Sequence, residues 1–159
     1  MEISDVEQMV MACNFDVVSR TEKNEQLDII GGIIGMRNYQ GRFNHQRWAI
    51  EFAKNNDVMD LYGKYIKGTL EDRIAKFAIT LFSLANKYKM NMKSLRLNES
   101  PGKLVSFEDL QMSMLKITLS HYRIYKKIIV LIGMLCDYCI ANSVDLVWFT
   151  NKRLLAYVK

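Results

Sequence analysis

Hydrophobic residues recur at steps of three and four positions along most of the chain, and this spacing predicts helices. From Thr69, one broad apolar face continues to Tyr88 and predicts a helix over about 70–89. Helix starts are indicated where Ser or Thr is followed three residues later by an acid, because both side chains then satisfy free backbone amides. Such pairs are Ser4/Glu7, Thr69/Asp72 and Ser106/Asp109.

A second apolar seam begins at Phe107 and continues to Tyr138, with His121 interrupting it. The spacing predicts one long helix, or two helices that meet near residues 121–123. We interpret His121 as a bend or a partly exposed packing residue. A metal-ligand role is disfavoured because no second His or acid lies nearby at ligand spacing, and the other histidine is His45.

The rest of the chain is also predicted to be helical. Further helices are predicted near 4–18, 22–37 and 43–67, the last broken around Asn55–Asn56, with a short helix and then a loop in Lys89–Ser106. No alternation typical of strands occurs. We therefore expect an all-α bundle of six or seven helices, in one domain that spans residues 1–159.

The sequence also contains a faint internal repeat. A shift of 54 positions places Arg73–Leu95 over Lys127–Phe149, with most apolar positions matched and Asn91 over Asp145. Each copy reads as a long apolar helix, a tight turn and a short helix. Two such pairs are expected to pack as a bundle with approximate internal symmetry.

Composition narrows the protein class. The chain has 159 residues, of which 50% are hydrophobic, and a formal net charge of +5. Its three cysteines, an odd number, favour a reducing compartment. The N-terminal stretch MEISDVEQMV is acidic and unlike a signal peptide, and the most apolar run, Ile128–Cys136, is too short to span a membrane. We therefore expect a cytoplasmic protein without a membrane segment.

Two small motifs are interpreted as packing features. Cys136 and Cys139 form a CxxC within an apolar helical run that has no second pair, so packed thiols are favoured over zinc or redox chemistry. Gly31, Gly32 and Gly35 match neither the P-loop nor the Rossmann fingerprint. They are expected to let two helices approach closely.

Two segments resemble a known family. KGTLEDRIAKFAITLFSLANKYKMNM, and DLVWFTNKRLLAY after a later turn, resemble the all-α nucleoside triphosphate pyrophosphohydrolases of the MazG and dimeric dUTPase group. The resemblance covers about residues 25–157 and implies a MazG-like helical bundle. In that family, a Glu-x-x-Glu and a Glu-x-x-Asp on adjacent helices hold magnesium on the triphosphate, and a metal-activated water attacks phosphorus.

This chain departs from the family pattern at the metal ligands. The second acidic pair falls on Arg73 and Lys76, and the first pair falls on Asp28 and Gly31 if Arg37 matches the basic residue that ends that motif. The resemblance therefore implies that this chain does not bind magnesium in the family's way. The alternative is that both cations lie at the edge of an amphipathic helix and reach solvent.

The C-terminal segment keeps part of a further family pattern. Asp145, Trp148 and Lys152 match an Asp-Leu-x-Trp followed by a Lys, whereas Leu155–Ala156 replaces the family's Tyr-Asn. The replacement puts nucleotide contacts by this segment in question. Asp145 is also explained as the N-cap of the last helix.

An active enzyme is the main alternative. Acid pairs spaced by three would mimic a four-carboxylate magnesium site if their helices faced each other. The opposing interpretation is that these acids lie near helix starts and complement the helix dipoles. The pairs are Glu25/Asp28 and Asp57/Asp60.

A third interpretation is nucleic-acid binding. Arg123, Lys126 and Lys127 form the densest basic cluster and alternate with tyrosines, an arrangement that suits phosphates and bases. The opposing interpretation is a solvated helix face on which lysine stems lie along apolar surface.

Taken together, these patterns predict a non-catalytic MazG-like protein that binds or sequesters a nucleotide, or serves as an interaction module. We expect a homodimer that associates through its long apolar helices. No cofactor is expected, and magnesium is required only under the enzyme alternative. The candidate ligand-binding residues are Arg73, Lys76, Asp145, Trp148 and Lys152.

Overall fold

The structure, a computed structural model, describes residues 1–13, 22–36, 69–97 and 106–158, and these residues are helical with no strand among them. The prediction of an all-α bundle is confirmed. The predicted helix over 43–67, with His45, Trp48, Asp57 and Asp60, lies outside the described residues, as does Arg37. The helices are α1 (Ile3–Ala12), α2 (Glu22–Gly35), α3 (Leu70–Lys87), α4 (Phe107–Thr118), α5 (Ile124–Ala141) and α6 (Leu146–Val158), with a 3-10 turn at Met92–Ser94.

The central element of the bundle is α3, which packs against α1, α2, α5 and α6. Its apolar side chains, including Phe77 and Phe82, are almost fully buried, and so are the polar residues of its first turn. The sequence predicted one apolar face for this helix, whereas its buried residues lie on more than one side. A helix that is covered on several sides is expected at the centre of a bundle.

Two of the three predicted helix starts are confirmed. Thr69 Oγ1 accepts a hydrogen bond from the Asp72 amide at 3.3 Å, and Ser106 Oγ accepts one from the Asp109 amide at 3.1 Å. The assignment of Ser4 as a cap is wrong. The first helix begins at Ile3, and its cap is Glu2, which forms a capping box with Asp5.

The apolar seam that begins at Phe107 is divided between two helices, α4 and α5. His121 lies in the turn between them and is exposed. The predicted bend near residues 121–123 is confirmed. A short connection of this kind allows the two helices to pack against each other.

The internal repeat is present in the backbone. The bounds of α5 follow those of α3 by 54 positions at both ends. After α3, the Met90 amide donates to the Ala85 carbonyl at 2.9 Å, and after α5 the Val144 amide donates to the Cys139 carbonyl at 2.8 Å. Both helices therefore end in the same six-residue Schellman closure.

The residues at the left-handed positions of these closures are also equivalent. Lys89 has a φ of 51° and Ser143 a φ of 56°. In each copy the next element is then capped by a short polar side chain. Asn91 accepts from the Lys93 amide at 2.8 Å, and Asp145 Oδ1 accepts from the Trp148 amide at 3.1 Å.

Among the described helices, none is both long and apolar enough to cross a membrane alone. By length and composition only, α5 and the first part of α6 pass that test as a pair, with a bend of 112° between them.

Candidate functional site

A cavity of about 320 Å³ lies between α2 and α3. Both helices contribute residues at the same helical spacing, i, i+3, i+4 and i+7, so one face of each helix borders the cavity. From α2 these are Asp28, Gly31, Gly32 and Gly35, joined by Leu27, and from α3 they are Arg73, Lys76, Phe77 and Thr80.

Glycine on α2 sets how closely the two helices approach. A Cβ on Gly32 would lie 2.5 Å from Cδ1 of Phe77, whereas a Cβ on Gly31 or Gly35 would meet nothing within 4 Å. The expectation that glycines permit close helix packing holds for Gly32. At Gly31 and Gly35, the missing side chains instead leave the cavity open along the α2 backbone.

The cavity wall carries two cations and one carboxylate. The Arg73 side chain is half-buried, Lys76 is exposed and Asp28 is half-buried. The buried Nε of Arg73 has no hydrogen-bond acceptor among the residues that the structure describes. Because Arg73 also lines the cavity, its guanidinium is suited to an anionic ligand there.

The four positions that the family resemblance assigns to metal ligands lie together on this cavity. They are Asp28 and Gly31 on α2 and Arg73 and Lys76 on α3. Only one of them is a carboxylate, and magnesium needs several oxygen ligands. Within the described ranges, no group of three His, Cys, Asp or Glu side chains is arranged to hold a metal ion.

Glu25 does not join Asp28 in an acidic site. Its side chain is fully buried; Lys87 Nζ donates a hydrogen bond to one of its carboxylate oxygens, and Tyr88 Oη donates to the other. These contacts attach α2 to the C-terminal end of α3. The structure therefore does not support a magnesium-binding role for Glu25 beside Asp28, and Glu25 lies near the start of α2, as the opposing interpretation predicted.

None of the predicted C-terminal residues is among the described residues that line the cavity. Asp145 caps α6, as the structural alternative predicted. Trp148 is half-buried, and Lys152 Nζ lies 5.7 Å from the centroid of its ring. The neighbouring Arg153 instead connects α6 to α3, because its Nη1 donates to Asp72 Oδ2 at 2.7 Å.

The cysteines are inert packing residues. Cys13, Cys136 and Cys139 are free thiols and are buried. Burial raises the pKa of the Cys13 thiol to about 12, raises the pKa of Cys136 to about 12, where Asp137 adds to the effect, and raises the pKa of Cys139 further above its usual range. A neutral, buried thiol is a poor nucleophile and metal ligand.

The basic cluster before and within α5 is divided by burial. Lys127 is buried, and its Nζ donates to Gln26 Oε1 at 3.1 Å, so it belongs to the contact with α2. Arg123 and Lys126 are exposed. Their exposure agrees with the solvated helix face of the opposing interpretation, and Lys126 Nζ lies 4.3 Å from the centroid of the Tyr122 ring.

Sequence reasoning did not assign five of the cavity-lining residues to a site: Leu27, Phe77 and Thr80, and also Gly32 and Gly35, which were predicted only to permit close helix packing. Phe77 and Thr80 follow Arg73 by four and seven positions, so helical periodicity alone places them on the face that Arg73 and Lys76 share. Leu27 carries no comparable signal, because a single exposed leucine is common on protein surfaces.

Comparisons of the chain with protein families, with curated proteins and with solved structures gave no match. The family resemblance therefore depends only on the residues quoted above.

Proposed function

We propose that this protein is a non-catalytic MazG-like protein that binds a phosphorylated ligand, such as a nucleoside triphosphate, in the cavity between α2 and α3 without a metal ion. The observation that carries the proposal is that Arg73 and Lys76 line one cavity with the two α2 positions, 28 and 31, of the family's first acidic motif.

The charges support binding of phosphate. A guanidinium and an ammonium neutralise phosphate oxygens directly, and the guanidinium also presents a planar set of donors that suits them. Arg73 and Lys76 both line the cavity and supply these two groups. Asp28 is the one carboxylate in the described wall, and it offsets only part of the positive charge.

The shape supports binding of a ligand larger than a single ion. A volume of about 320 Å³ falls within the usual range for small-molecule sites. Gly31 and Gly35 leave the α2 backbone accessible along one wall, while Leu27 and Phe77 supply apolar surface. Polar and apolar walls together suit a ligand with phosphate and non-phosphate parts.

The same wall does not support hydrolysis by the family's chemistry. That chemistry needs magnesium to activate the attacking water, and magnesium needs several carboxylates. The described wall offers Asp28 alone, and Glu25 is held by Lys87 and Tyr88. We therefore propose binding or sequestration rather than turnover.

Homodimer formation in the cytoplasm remains part of the proposal. The apolar faces of α3 and α5 are buried within the chain, so a dimer would use other surfaces than the long apolar helices named in the sequence interpretation. Large exposed apolar side chains lie instead on several helices, including Met11 on α1, Ile34 on α2, Met112 on α4 and Leu155 on α6.

Calorimetric titration of ATP, dTTP and inorganic triphosphate in EDTA tests this function. We expect binding that weakens about tenfold or more in R73Q/K76Q, because each lost charge–phosphate contact is worth about 1.5–3 kcal/mol. The matched control is K93Q/R96Q, which removes the same charge from exposed positions elsewhere. Equal weakening in both variants would contradict a site at the cavity.

A pyrophosphate-release assay tests the enzyme alternative. The same ligands are incubated with magnesium or manganese, and then with EDTA. We expect no release above background under any of these conditions. Metal-dependent release that is lost in D28N would overturn the non-catalytic proposal.

A further inference from the structure

A second surface, whose residues do not line the cavity, lies at the turn between α4 and α5 and on the first turn of α5. It is defined by Leu119, Tyr122, Arg123, Tyr125 and Lys126, and we call it the α4–α5 tip. All five side chains are exposed, with Tyr122 at 46% and Tyr125 at 49% of their full accessibility. Both tyrosines therefore present part of a ring to solvent.

The charged residues of the tip, Arg123 and Lys126, are both basic. From Leu110 to Cys136 the sequence contains no acid, whereas Lys116, Arg123 and Lys126 are all exposed. The equivalent first turn in the other copy of the repeat is different, because Glu71 and Asp72 there are acidic and buried. Tyr125 and Lys126 occupy the matching positions in α5.

Aromatic and cationic groups also meet directly at the tip. Lys126 Nζ lies 4.3 Å from the centroid of the Tyr122 ring, which is a cation–π contact. The ammonium is therefore held beside an exposed aromatic ring, so a partner that has both a planar ring and a phosphate meets both groups together.

We propose that the α4–α5 tip binds single-stranded nucleic acid. Sequence-tolerant binding of this kind combines bases stacked on aromatic side chains with phosphates near Lys and Arg. A duplex fits less well, because its bases are already stacked on one another. An anionic membrane fits less well too, because Leu119 is the one large aliphatic side chain at the tip, and membrane association needs a broader apolar surface.

Fluorescence anisotropy with a labelled dodecamer of deoxythymidine tests the proposal. We expect Y122A/Y125A to weaken binding about fivefold or more, since one stacked base is worth about 1–3 kcal/mol. R123Q/K126Q should weaken binding and also reduce the slope of log affinity against log salt by about one. The control K93Q/R96Q has the same net charge as R123Q/K126Q and should retain most of the affinity for the dodecamer.

Three further measurements make the result decisive. R73Q/K76Q should bind the dodecamer normally, because neither residue belongs to the α4–α5 tip, and a duplex of the same length should bind more weakly. All variants are checked by circular dichroism and thermal melting, which exposed substitutions should leave unchanged. Equal loss in R123Q/K126Q and K93Q/R96Q, unchanged binding by Y122A/Y125A, or binding only to phosphatidylserine vesicles would each overturn the proposal.

Discussion

Arg153 on α6 donates a hydrogen bond to Asp72 in the first turn of α3, with 2.7 Å between Nη1 and Oδ2. The carboxylate side chain is 1% exposed and the guanidinium side chain 12% exposed, so this ion pair is largely shielded from water. It joins the first long helix of the repeat to the last helix of the chain. Asp72 was predicted only as a helix-start acid, yet its side chain also makes this contact between distant helices.

We expect Asp72→Ala to lower the free energy of unfolding by about 3 kcal/mol, because it removes the largely shielded carboxylate that accepts a hydrogen bond from Arg153. Urea unfolding followed by circular dichroism measures the change. Asp109→Ala is the matched control, since Asp109 holds the equivalent first-turn position in α4 but is exposed. It should cost about 1 kcal/mol or less. If Asp72→Ala and Asp109→Ala lowered the free energy of unfolding equally, the ion pair between Asp72 and Arg153 would contribute little to stability.

The glycines of α2 give a second prediction. Gly32→Ala should destabilise the protein by about 1–3 kcal/mol, because its Cβ would lie 2.5 Å from the buried Phe77 ring and force the helices apart. Gly31→Ala and Gly35→Ala are the controls. Each adds the same methyl group into open space, and each should stabilise α2 by about 0.5–1 kcal/mol.

Thermal melting of the three glycine variants gives the comparison directly. Gly31→Ala and Gly35→Ala also reduce the volume of the cavity, so they should weaken triphosphate binding while they raise the melting temperature. A stabilised Gly32→Ala would contradict the close contact between α2 and α3.

The class of fold could be predicted from periodicity because every described helix carries an apolar face. The cap at Ser4 was wrong because Glu2 and Asp5 satisfy the same amides two residues earlier, and local sequence does not show which of two adjacent caps is used. The buried contacts of Glu25 and Lys127 could not be predicted. A long charged residue on a helix is usually exposed, and its burial depends on which distant helix lies beside it.

The candidate site was predictable in part. The resemblance singled out positions 28, 31, 73 and 76, and the structure brings all four to one cavity. Asp145, Trp148 and Lys152 share a face of α6 by their spacing, but spacing within one helix gives no information on which neighbour that face meets. None of these three residues is among the described lining of the cavity, and α6 instead contacts α3 through Arg153.

The repeated helix closures give a third prediction. Lys89 and Ser143 hold positive φ values at equivalent positions, a conformation that costs about 1 kcal/mol or more for a residue with a Cβ. Lys89→Gly and Ser143→Gly should therefore each raise the free energy of unfolding by about 0.5–1 kcal/mol. Lys89→Ala and Ser143→Ala keep the Cβ. If they raised the free energy of unfolding as much as the glycine variants do, relief of backbone strain would not explain the gain.

The buried thiols predict a loss of stability at alkaline pH. The Cys136 pKa is about 12 in the folded protein, because burial disfavours the thiolate, and its unperturbed value is 9.0. As the pH rises above 9, the unfolded chain loses this proton first, so stability is full below pH 9 and falls as the pH approaches 12. Between pH 9 and 10.5 this one thiol should lower the free energy of unfolding by about 1–2 kcal/mol.

Cys136→Ala should remove that part of the decline, although it is expected to lower stability at pH 7 through lost packing. Thr150→Ala is the control, because Thr150 is also fully buried and does not titrate in this range. Urea unfolding of the parent and both variants from pH 7 to 10.5 measures the difference. The parent and Thr150→Ala should lose stability in parallel, while Cys136→Ala should lose less. Parallel curves for all three proteins would show that the Cys136 thiol ionises as easily in the folded chain as in the unfolded one.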